Sequence, residues 1–208
     1  MLLAGVFASS ALCAVPEAGV DAGWILQKLA RPAPTRTDFV ELRDSKLLKQ
    51  PLRLTGGYAR PDADTLVREV RTPYAETTTI RAGEATIARA GKSPRRFSLS
   101  RAPELAGLQA SFGAMLSGDR ATLEKSYRIA ATGTRQQWTM TLLPKEAPLA
   151  AKVRDITLYG RGAELRCIET RAAKSDEVQR TLLAGAARAA DGVVAADALT
   201  ALCRGTAP

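Results

Sequence analysis

The sequence predicts a mainly β fold with some α-helix (α+β): an incomplete, strongly curved antiparallel β-barrel of about ten strands with helices as its lid. Three observations support this prediction. Segments in which apolar and polar residues alternate follow one another at near-regular spacing, short turns separate them, and only two or three segments have helical spacing. A sheet of this size must curl, and its concave side must be covered, which is the role expected for the helices.

The first half of the chain begins with a helix and continues with strands. Residues 24–29 have helical spacing and end before Pro32. The period then changes: Leu52, Leu54 and Tyr58 alternate with polar or small neighbours, as in a strand with one buried face. Further strands, each followed by a short turn, are expected at residues 66–71, 74–81, 84–90 and 95–101.

A second helix interrupts the strands of the second half. It is expected to begin at Pro103, and its apolar residues have helical spacing: Leu105, Leu108, Phe112, Met115 and Leu116. Strands are then expected at residues 125–131, 137–143, 153–159 and 163–170. The segment 175–177, Ser-Asp-Glu, predicts a C-terminal helix that carries Val178, Leu182 and Leu183. Because no linker or repeat divides the chain, residues 23–208 are expected to form a single domain.

The composition argues against an enzyme. The chain has 208 residues, 46% of them hydrophobic, and it contains no histidine. The usual Ser-His-Asp and Cys-His catalytic groups and the commonest metal ligand are therefore excluded. The Ser-x-x-Lys, Gly-x-Ser-x-Gly and P-loop patterns are absent as well. We expect no catalytic residue, no metal site and no cofactor.

The net charge of +9 is compatible with an anionic partner such as nucleic acid, phospholipid head groups or an acidic protein. The basic residues are scattered, however, and the charge can equally reflect a biased composition. The densest group, Lys92, Arg95 and Arg96, is too short for a nucleic-acid-binding arm. A nucleic-acid partner is not expected.

The N-terminal segment has the character of a secretory leader. Residues 2–14 are all apolar or small, and Val15 and Pro16 follow them. We interpret residues 1–14 as a signal peptide, followed by a flexible segment to about residue 22; the alternative is a buried N-terminal helix. Cys13 is not expected to carry a lipid, because Leu12 occupies the position where lipidation requires a small residue. No stretch is long enough for a stable membrane span, which needs about 18 apolar residues.

Removal of the leader would leave Cys167 and Cys203 as the remaining cysteines. In an oxidising compartment we expect them to form a disulfide, which would add about 3 kcal/mol in the chain-entropy model. Two separate buried thiols are the alternative.

The order of several short motifs resembles the outer-membrane lipoprotein carrier (LolA-like) family. The motifs are the segment 57–61 (Gly-Tyr-Ala-Arg-Pro), the apolar pair at 66–67, and Thr-Pro at 72–73. Phe39, the segment 48–52 and Gly83 also fit, and the resemblance covers residues 36–186. It implies a periplasmic carrier that receives lipoprotein acyl chains at the inner membrane and passes them outward. The implied partners are an acyl or lipid ligand, or a lipoprotein, and an inner-membrane exporter or outer-membrane acceptor; a monomer is expected.

The resemblance also assigns residues to a lipid cavity and its lid. Arg60 matches the arginine that ties the lid to the barrel, and Leu66 or Val67 matches an apolar residue that faces the lipid. The other residues expected around the cavity are Leu105, Leu108, Phe112, Trp138 and Met140, although each of these large apolar residues can instead be plain core.

The sequence departs from the family pattern at two places, and the pair Cys167 and Cys203 together with the expected helix at Leu182 and Leu183 resembles a divergent LolA-related branch. The segment 68–71, Arg-Glu-Val-Arg, stands where the family has an aromatic-rich segment, and a longer polar insert occupies residues 61–65. Proteins of that branch resemble accessory factors for the export of acylated pigments or glycolipids. Arg68 and Arg71 could meet an anionic head group or lie on the surface, and Glu69 and Glu76 could pair with them across strands.

Three classes of function remain open at this stage. The first is a carrier for a lipid or lipoprotein. The second is an accessory subunit that docks an inner-membrane transporter or acyltransferase without carrying lipid. The third, a basic nucleic-acid-binding protein, would be excluded by export.

Overall fold

The computed structural model describes residues 19–44, 47–99 and 113–206. Within them, eleven strands form one antiparallel sheet in the order β6-β5-β4-β3-β2-β1-β11-β10-β9-β8-β7. The sheet is open and curved, which confirms the predicted fold class. The strands are β1 Thr35–Arg43, β2 Leu52–Arg60, β3 Leu66–Thr72, β4 Glu76–Arg81, β5 Glu84–Arg89, β6 Lys92–Ser98, β7 Tyr127–Gly133, β8 Trp138–Pro144, β9 Val153–Arg161, β10 Glu164–Ala172 and β11 Val178–Leu183.

Six helical segments accompany the sheet in the described ranges. They are α1 Ala22–Leu29, α2 (residues 113–117), α3 Arg120–Ser126, α4 Ala147–Ala150, α5 Ala184–Ala189 and α6 Ala196–Arg204. Asp21 caps α1, because its carboxylate accepts a hydrogen bond from the Trp24 amide at 3.0 Å. Asp119 caps α3 in the same way through the Thr122 amide, at 2.9 Å.

Two meanders make up the sheet, and β1 and β11 join them at its centre. The register of this pair runs from Phe39 opposite Leu183 to Arg43 opposite Gln179. Residues 35–38 of β1 therefore extend beyond the end of β11. On the other side of β11, the first residues of β10, 164–166, also lie beyond the last pair, which is Cys167 with Leu182.

The main core lies on one side of the sheet, which we call the inner face. Apolar side chains of α1 and α2 pack there against every second residue of the central strands, as period-2 alternation requires. The fully buried members include Ile25 and Leu26 of α1, Phe39 of β1, Leu54 of β2 and Trp138 of β8.

A smaller core lies on the opposite, outer face under α5 and α6. Val40, Leu42 and Leu182 pack there against alanines of α5 and against Leu199 of α6. A disulfide between Cys167 of β10 and Cys203 of α6 fixes α6 to the sheet. The helices α1 and α2 thus form an inner cover, and α5 and α6, with the disulfide, form an outer cover.

The basic group predicted from the sequence lies on an edge of the sheet. Lys92, Arg95 and Arg96 are exposed on β6, which also contains Pro94. Charged residues and proline prevent an edge strand from pairing with another chain, so this group has a structural role in the fold.

The predicted C-terminal helix over residues 178–183 is wrong. These residues form β11, and the two C-terminal helices follow it. Leu182 lies under the outer cover and Leu183 on the inner face. A central strand buried on both faces lacks polar alternation, so its apolar residues resemble a helical pattern. The strand expected to begin at residue 125 begins at Tyr127, because α3 extends to Ser126.

Several predicted features lie outside the described residues: the leader with Cys13, and Leu105, Leu108 and Phe112 of the second helix. In the part of the chain that the structure describes, no helix is long and apolar enough to cross a membrane.

Adjacent glycines of β2 provide a test of the inner packing. A Cβ at Gly56 would overlap the Glu69 carbonyl oxygen and the Phe39 ring, whereas one at Gly57 would make ordinary contacts, the nearest at 3.5 Å. Gly56→Ala should therefore lower the free energy of unfolding by about 1–3 kcal/mol or more. Gly57→Ala, the matched control, should change it by less than about 1 kcal/mol. Urea denaturation of both variants measures the difference, and equal stabilities would contradict this packing.

Candidate functional site

A cavity of about 280 Å³ lies on the inner face, beside the end of β11. The cavity lies where β1 and β10 both extend beyond the end of β11. Because β11 is shorter, it leaves a gap between these two strands. Its apolar walls come from α1, α2 and three strands and consist of Leu29, Leu66, Met115, Leu116, Leu165, Ile168 and Leu183. The volume is close to the lower end of the range of about 300–1,000 Å³ for small-molecule sites.

Polar side chains surround the apolar walls. Arg31, Arg36, Arg60 and Glu164 all line the cavity. The Arg36 guanidinium pairs with Glu69 on the outer face, so Arg31, Arg60 and Glu164 leave the rim with an excess of one positive charge. The site can therefore hold an apolar group in its interior and favour an anionic group at its rim.

Arg60 connects the sheet to the cover of the cavity. Its guanidinium nitrogen Nη1 donates a hydrogen bond to the Arg31 carbonyl at 3.2 Å. The Arg31 amide in turn donates to the Leu116 carbonyl of α2 at 3.0 Å. The connection thus runs from β2 through the segment after α1 to α2, and a guanidinium suits it because it supplies several donors in a fixed plane.

Arg31 holds the same segment from a second direction. Its guanidinium donates to the carbonyls of Lys28 and Ala30, at 2.8 and 3.0 Å, and to the Ala163 carbonyl at the β9–β10 turn, at 3.0 Å. The sequence analysis did not find Arg31, because these partners are distant in sequence and meet only in the folded sheet.

Glu164 fixes the chain where it leaves β11. Its Oε1 accepts a hydrogen bond from the Gly185 amide at 2.6 Å. The preceding residue, Ala184, has a φ of 47°, a conformation that L-residues rarely adopt. The carboxylate therefore stabilises the sharp turn from β11 into α5, at the rim of the cavity.

A charged cluster borders the cavity further along the inner face. Arg68 lies opposite Tyr58, a cavity residue, and donates a hydrogen bond to Glu41 at 3.1 Å. Glu41 is fully buried and also accepts from Arg43 at 2.6 Å and from Thr181 at 3.3 Å. Burial, and secondarily the negative charge of Glu41, raises the pKa of Tyr58 above its ordinary value. Tyr58 is therefore a neutral hydroxyl at physiological pH.

The ion pairs of β3 and β4 differ from those expected. Arg68 pairs with Glu41, and Arg71 pairs with Asp38 at 2.6 Å. The two glutamates have other partners: Glu69 pairs with Arg36 at 2.9 Å, and Glu76 pairs with Arg89. The expected pairings between β3 and β4 are therefore wrong. The charged side chains of β3 reach across β2 to residues of β1, and Glu76 of β4 pairs with Arg89 of β5.

Leu66 and Val67 lie on opposite faces of the sheet. Leu66 belongs to the cavity wall, and the register places it on the same face as Tyr58 and Arg68. Val67, the next residue, points to the outer face. The structure thus brings Arg60 and Leu66 together at the cavity and separates Val67 from them.

Trp138 and Met140 lie in the inner core away from the cavity lining. Trp138 is 1% exposed, its ring lies against the Cα of Gly160, and its Nε1 donates to the Gly162 carbonyl at 2.9 Å. Met140 is fully buried opposite Leu158. The cavity residues that the sequence analysis missed, such as Leu165 and Leu183, are hydrophobic residues that no local pattern distinguishes from core.

The sequence profile of a family described as outer membrane lipoprotein carrier protein LolA-like matches residues 14–206. The chain belongs to this family. The predicted LolA-like resemblance is thereby confirmed. The family consists of carrier proteins rather than enzymes, its members bind lipid or lipoprotein ligands, and they are typically periplasmic.

Among curated proteins no match was found. Solved structures similar to this chain include a LolA superfamily protein from Nitrosomonas europaea, 12% identical, with a TM-score of 0.41 and coverage of 79% of this chain and 92% of that one. LprF from Mycobacterium bovis is 13% identical, with a TM-score of 0.34 and coverage of 79% and 91%.

Removal of the hydrogen bond from Arg60 to the Arg31 carbonyl should increase the mobility of the segment that it holds. A hydrogen bond of this kind contributes about 1 kcal/mol, so Arg60→Ala should speed amide hydrogen exchange in residues 25–31 about fivefold. Arg36→Ala is the matched control, because Arg36 lines the same cavity but pairs with Glu69. Exchange mass spectrometry measures both. If exchange in Arg60→Ala matches the wild-type rate, Arg60 does not hold the cover.

Proposed function

We propose that this protein is a periplasmic carrier that binds the acyl chain of a lipoprotein, a glycolipid or an acylated pigment and transfers it toward the outer membrane. The observation that carries the proposal is the apolar cavity on the inner face, closed by α1 and α2 and lined by Leu29, Leu66 and Met115. Its volume suits part of one hydrocarbon chain, and displacement of the α2 side chains would lengthen it. Family membership supports the same function.

The composition of the site supports binding rather than catalysis. Among the described residues, the cavity lining contains no histidine, cysteine or aspartate, and its one carboxylate, Glu164, accepts a hydrogen bond from the Gly185 amide. Its apolar interior provides transfer free energy for a hydrocarbon chain without requiring a particular head group. The cationic rim, which includes Arg31 and Arg60, would meet the polar end of such a ligand.

We further propose that residues 1–14 are removed on export and that residues 23–208 act as one lipid-binding domain. The Cys167–Cys203 disulfide supports export, because disulfides persist in oxidising compartments such as the periplasm. An exporter of the inner membrane and an acceptor of the outer membrane would then be the transfer partners.

Leu66 and Val67 provide a matched pair for testing the cavity. Leu66→Glu should weaken binding of a fluorescent fatty acid at least about tenfold, because it removes an apolar wall and introduces a charge that must be desolvated. Val67→Glu introduces the same charge on the outer face and should leave the affinity within about twofold of wild type. Fluorescence titration of purified protein measures both affinities.

Two outcomes would contradict the carrier. If both variants bind the fatty acid as the wild type does, the acyl chain lies elsewhere. If the wild type binds no fatty acid, and native mass spectrometry of periplasmic protein detects no lipid, the docking function without lipid transport is favoured instead.

Export predicts a defined N-terminus. Protein recovered from a bacterial periplasm should begin close to residue 15, and Edman sequencing or intact mass measures this directly. Replacement of Phe7 by Arg should interrupt the apolar segment and keep the protein in the cytoplasm with its N-terminal segment intact. Wild-type protein that retains residues 1–14 and stays in the cytoplasm would contradict export.

A further inference from the structure

A second cavity lies on the outer face, between the C-terminal end of α6 and the β9–β10 hairpin, and its volume is about 460 Å³. Three arginines line it: Arg161 of β9, Arg166 of β10 and Arg204 of α6. No aspartate or glutamate belongs to its lining. The cavity is therefore a concave site with cationic walls, on the side of the sheet away from the acyl cavity.

The charges around this cavity are not balanced. Arg204 donates to the buried carboxylate of Glu169 at 3.3 Å, and Glu169 is shared with Arg171 and Arg180. Two further carboxylates complete that network: Asp155 pairs with Arg171 at 3.1 Å, and Asp44 pairs with Arg180 at 3.4 Å. Arg154 also pairs with Asp155, at 3.4 Å, so four arginines share these three carboxylates within the described residues.

Arg161 and Arg166 have no such partner. Within the described residues their side chains form no ion pair and no hydrogen bond. They contribute two uncompensated positive charges to a cavity that Tyr159 also lines. Like charges held close together repel, and a bound anion would relieve this repulsion.

The end of α6 does not oppose an anion strongly. The last carbonyls of a helix carry partial negative charge. Here the carbonyls of Arg204 and Gly205 accept hydrogen bonds from the Gln137 side-chain amide, at 3.4 and 3.3 Å. Those acceptors are therefore partly satisfied by a neutral donor, and the unpaired guanidinium groups dominate the field of the cavity.

We propose that this outer cavity binds a phosphate group. Guanidinium groups match phosphate oxygens in geometry and bind them through paired, charge-assisted hydrogen bonds. Two arginines without carboxylate partners suit a group with one to two negative charges, and Tyr159 places a hydroxyl among the lining residues. The phosphate can belong to the head group of an anionic phospholipid or to a soluble phosphate compound. Neither source depends on the acyl cavity.

Isothermal titration of the purified protein with inorganic phosphate at low ionic strength tests the site. Wild-type protein should bind one phosphate saturably, and Arg161→Ala/Arg166→Ala should weaken binding at least about tenfold. The matched control is Arg95→Ala/Arg96→Ala, which removes the same two charges from the exposed edge strand β6 and should bind as the wild type does. Thermal melting should show that both double variants fold, because none of the four side chains holds another residue.

Flotation with phosphatidylglycerol vesicles, compared with phosphatidylcholine vesicles, distinguishes the two sources. Phosphate binding together with vesicle binding that Arg161→Ala/Arg166→Ala lowers would assign the head group of an anionic phospholipid. Phosphate binding without vesicle binding would assign a soluble phosphate compound. If wild-type protein does not bind phosphate saturably, or if both double variants lose binding equally, the proposed site is overturned.

Discussion

The pairing of β1 with β11 determines where the cavity lies. It joins the meander β1–β6 to the meander β7–β11, and beyond the last pair of strands the Asp44 amide continues the contact by donating to the Val178 carbonyl at 3.1 Å. At the other end, β11 stops at Leu183 while β1 continues back to Thr35. We call the β1–β11 pair the seam. The sheet is therefore continuous at the end of the seam near Arg43, and it has a gap at the other end, beyond Phe39 and Leu183. Hydrogen bonding of the backbone, rather than the choice of any cavity side chain, creates the space.

The inner face is divided between apolar and charged surface, and this division limits what the cavity can hold. Past Tyr58, the wall changes from aliphatic side chains to Arg68 and Glu41. The buried carboxylate is stabilised because several donors satisfy it, and removing a donor would leave an uncompensated charge. A hydrocarbon chain could not extend across this cluster without desolvating it. Arg68 and Glu41 thus limit the apolar surface of the inner face to the part of the cavity that precedes them.

Periodicity in the sequence predicted the strands that have one apolar and one polar face. It failed for a strand that is buried on both faces. The strand at 137–143 was evident because Trp138, Met140 and Leu142 alternate with threonines, and it is present as β8. In β11, by contrast, both faces are buried and alternation disappears, so only long-range pairing identifies the strand. The cavity follows the same rule. Arg60 and Leu66 were recognisable from the order of family motifs, whereas Arg31 acquires its role only when the β9–β10 turn approaches it.

The two covers of the sheet differ in how firmly they are attached, and this difference indicates which one can open. On the outer face, α6 is fixed by a disulfide and by the Arg204–Glu169 pair, and Arg53 of β2 donates to the carbonyls of Ala190, at 2.8 Å, and Val193. On the inner face, the segment after α1 is held by hydrogen bonds from Arg60 and Arg31 that remain accessible to water. Each such bond contributes about 1 kcal/mol, whereas the covalent closure contributes several. The hydrogen bonds that attach the inner cover are therefore weaker than the disulfide that attaches the outer one, while burial of Ile25 and Leu26 also holds α1 in place. Under the proposed carrier function, an acyl chain would enter at the seam, where only the weaker of these two sets of attachments must break.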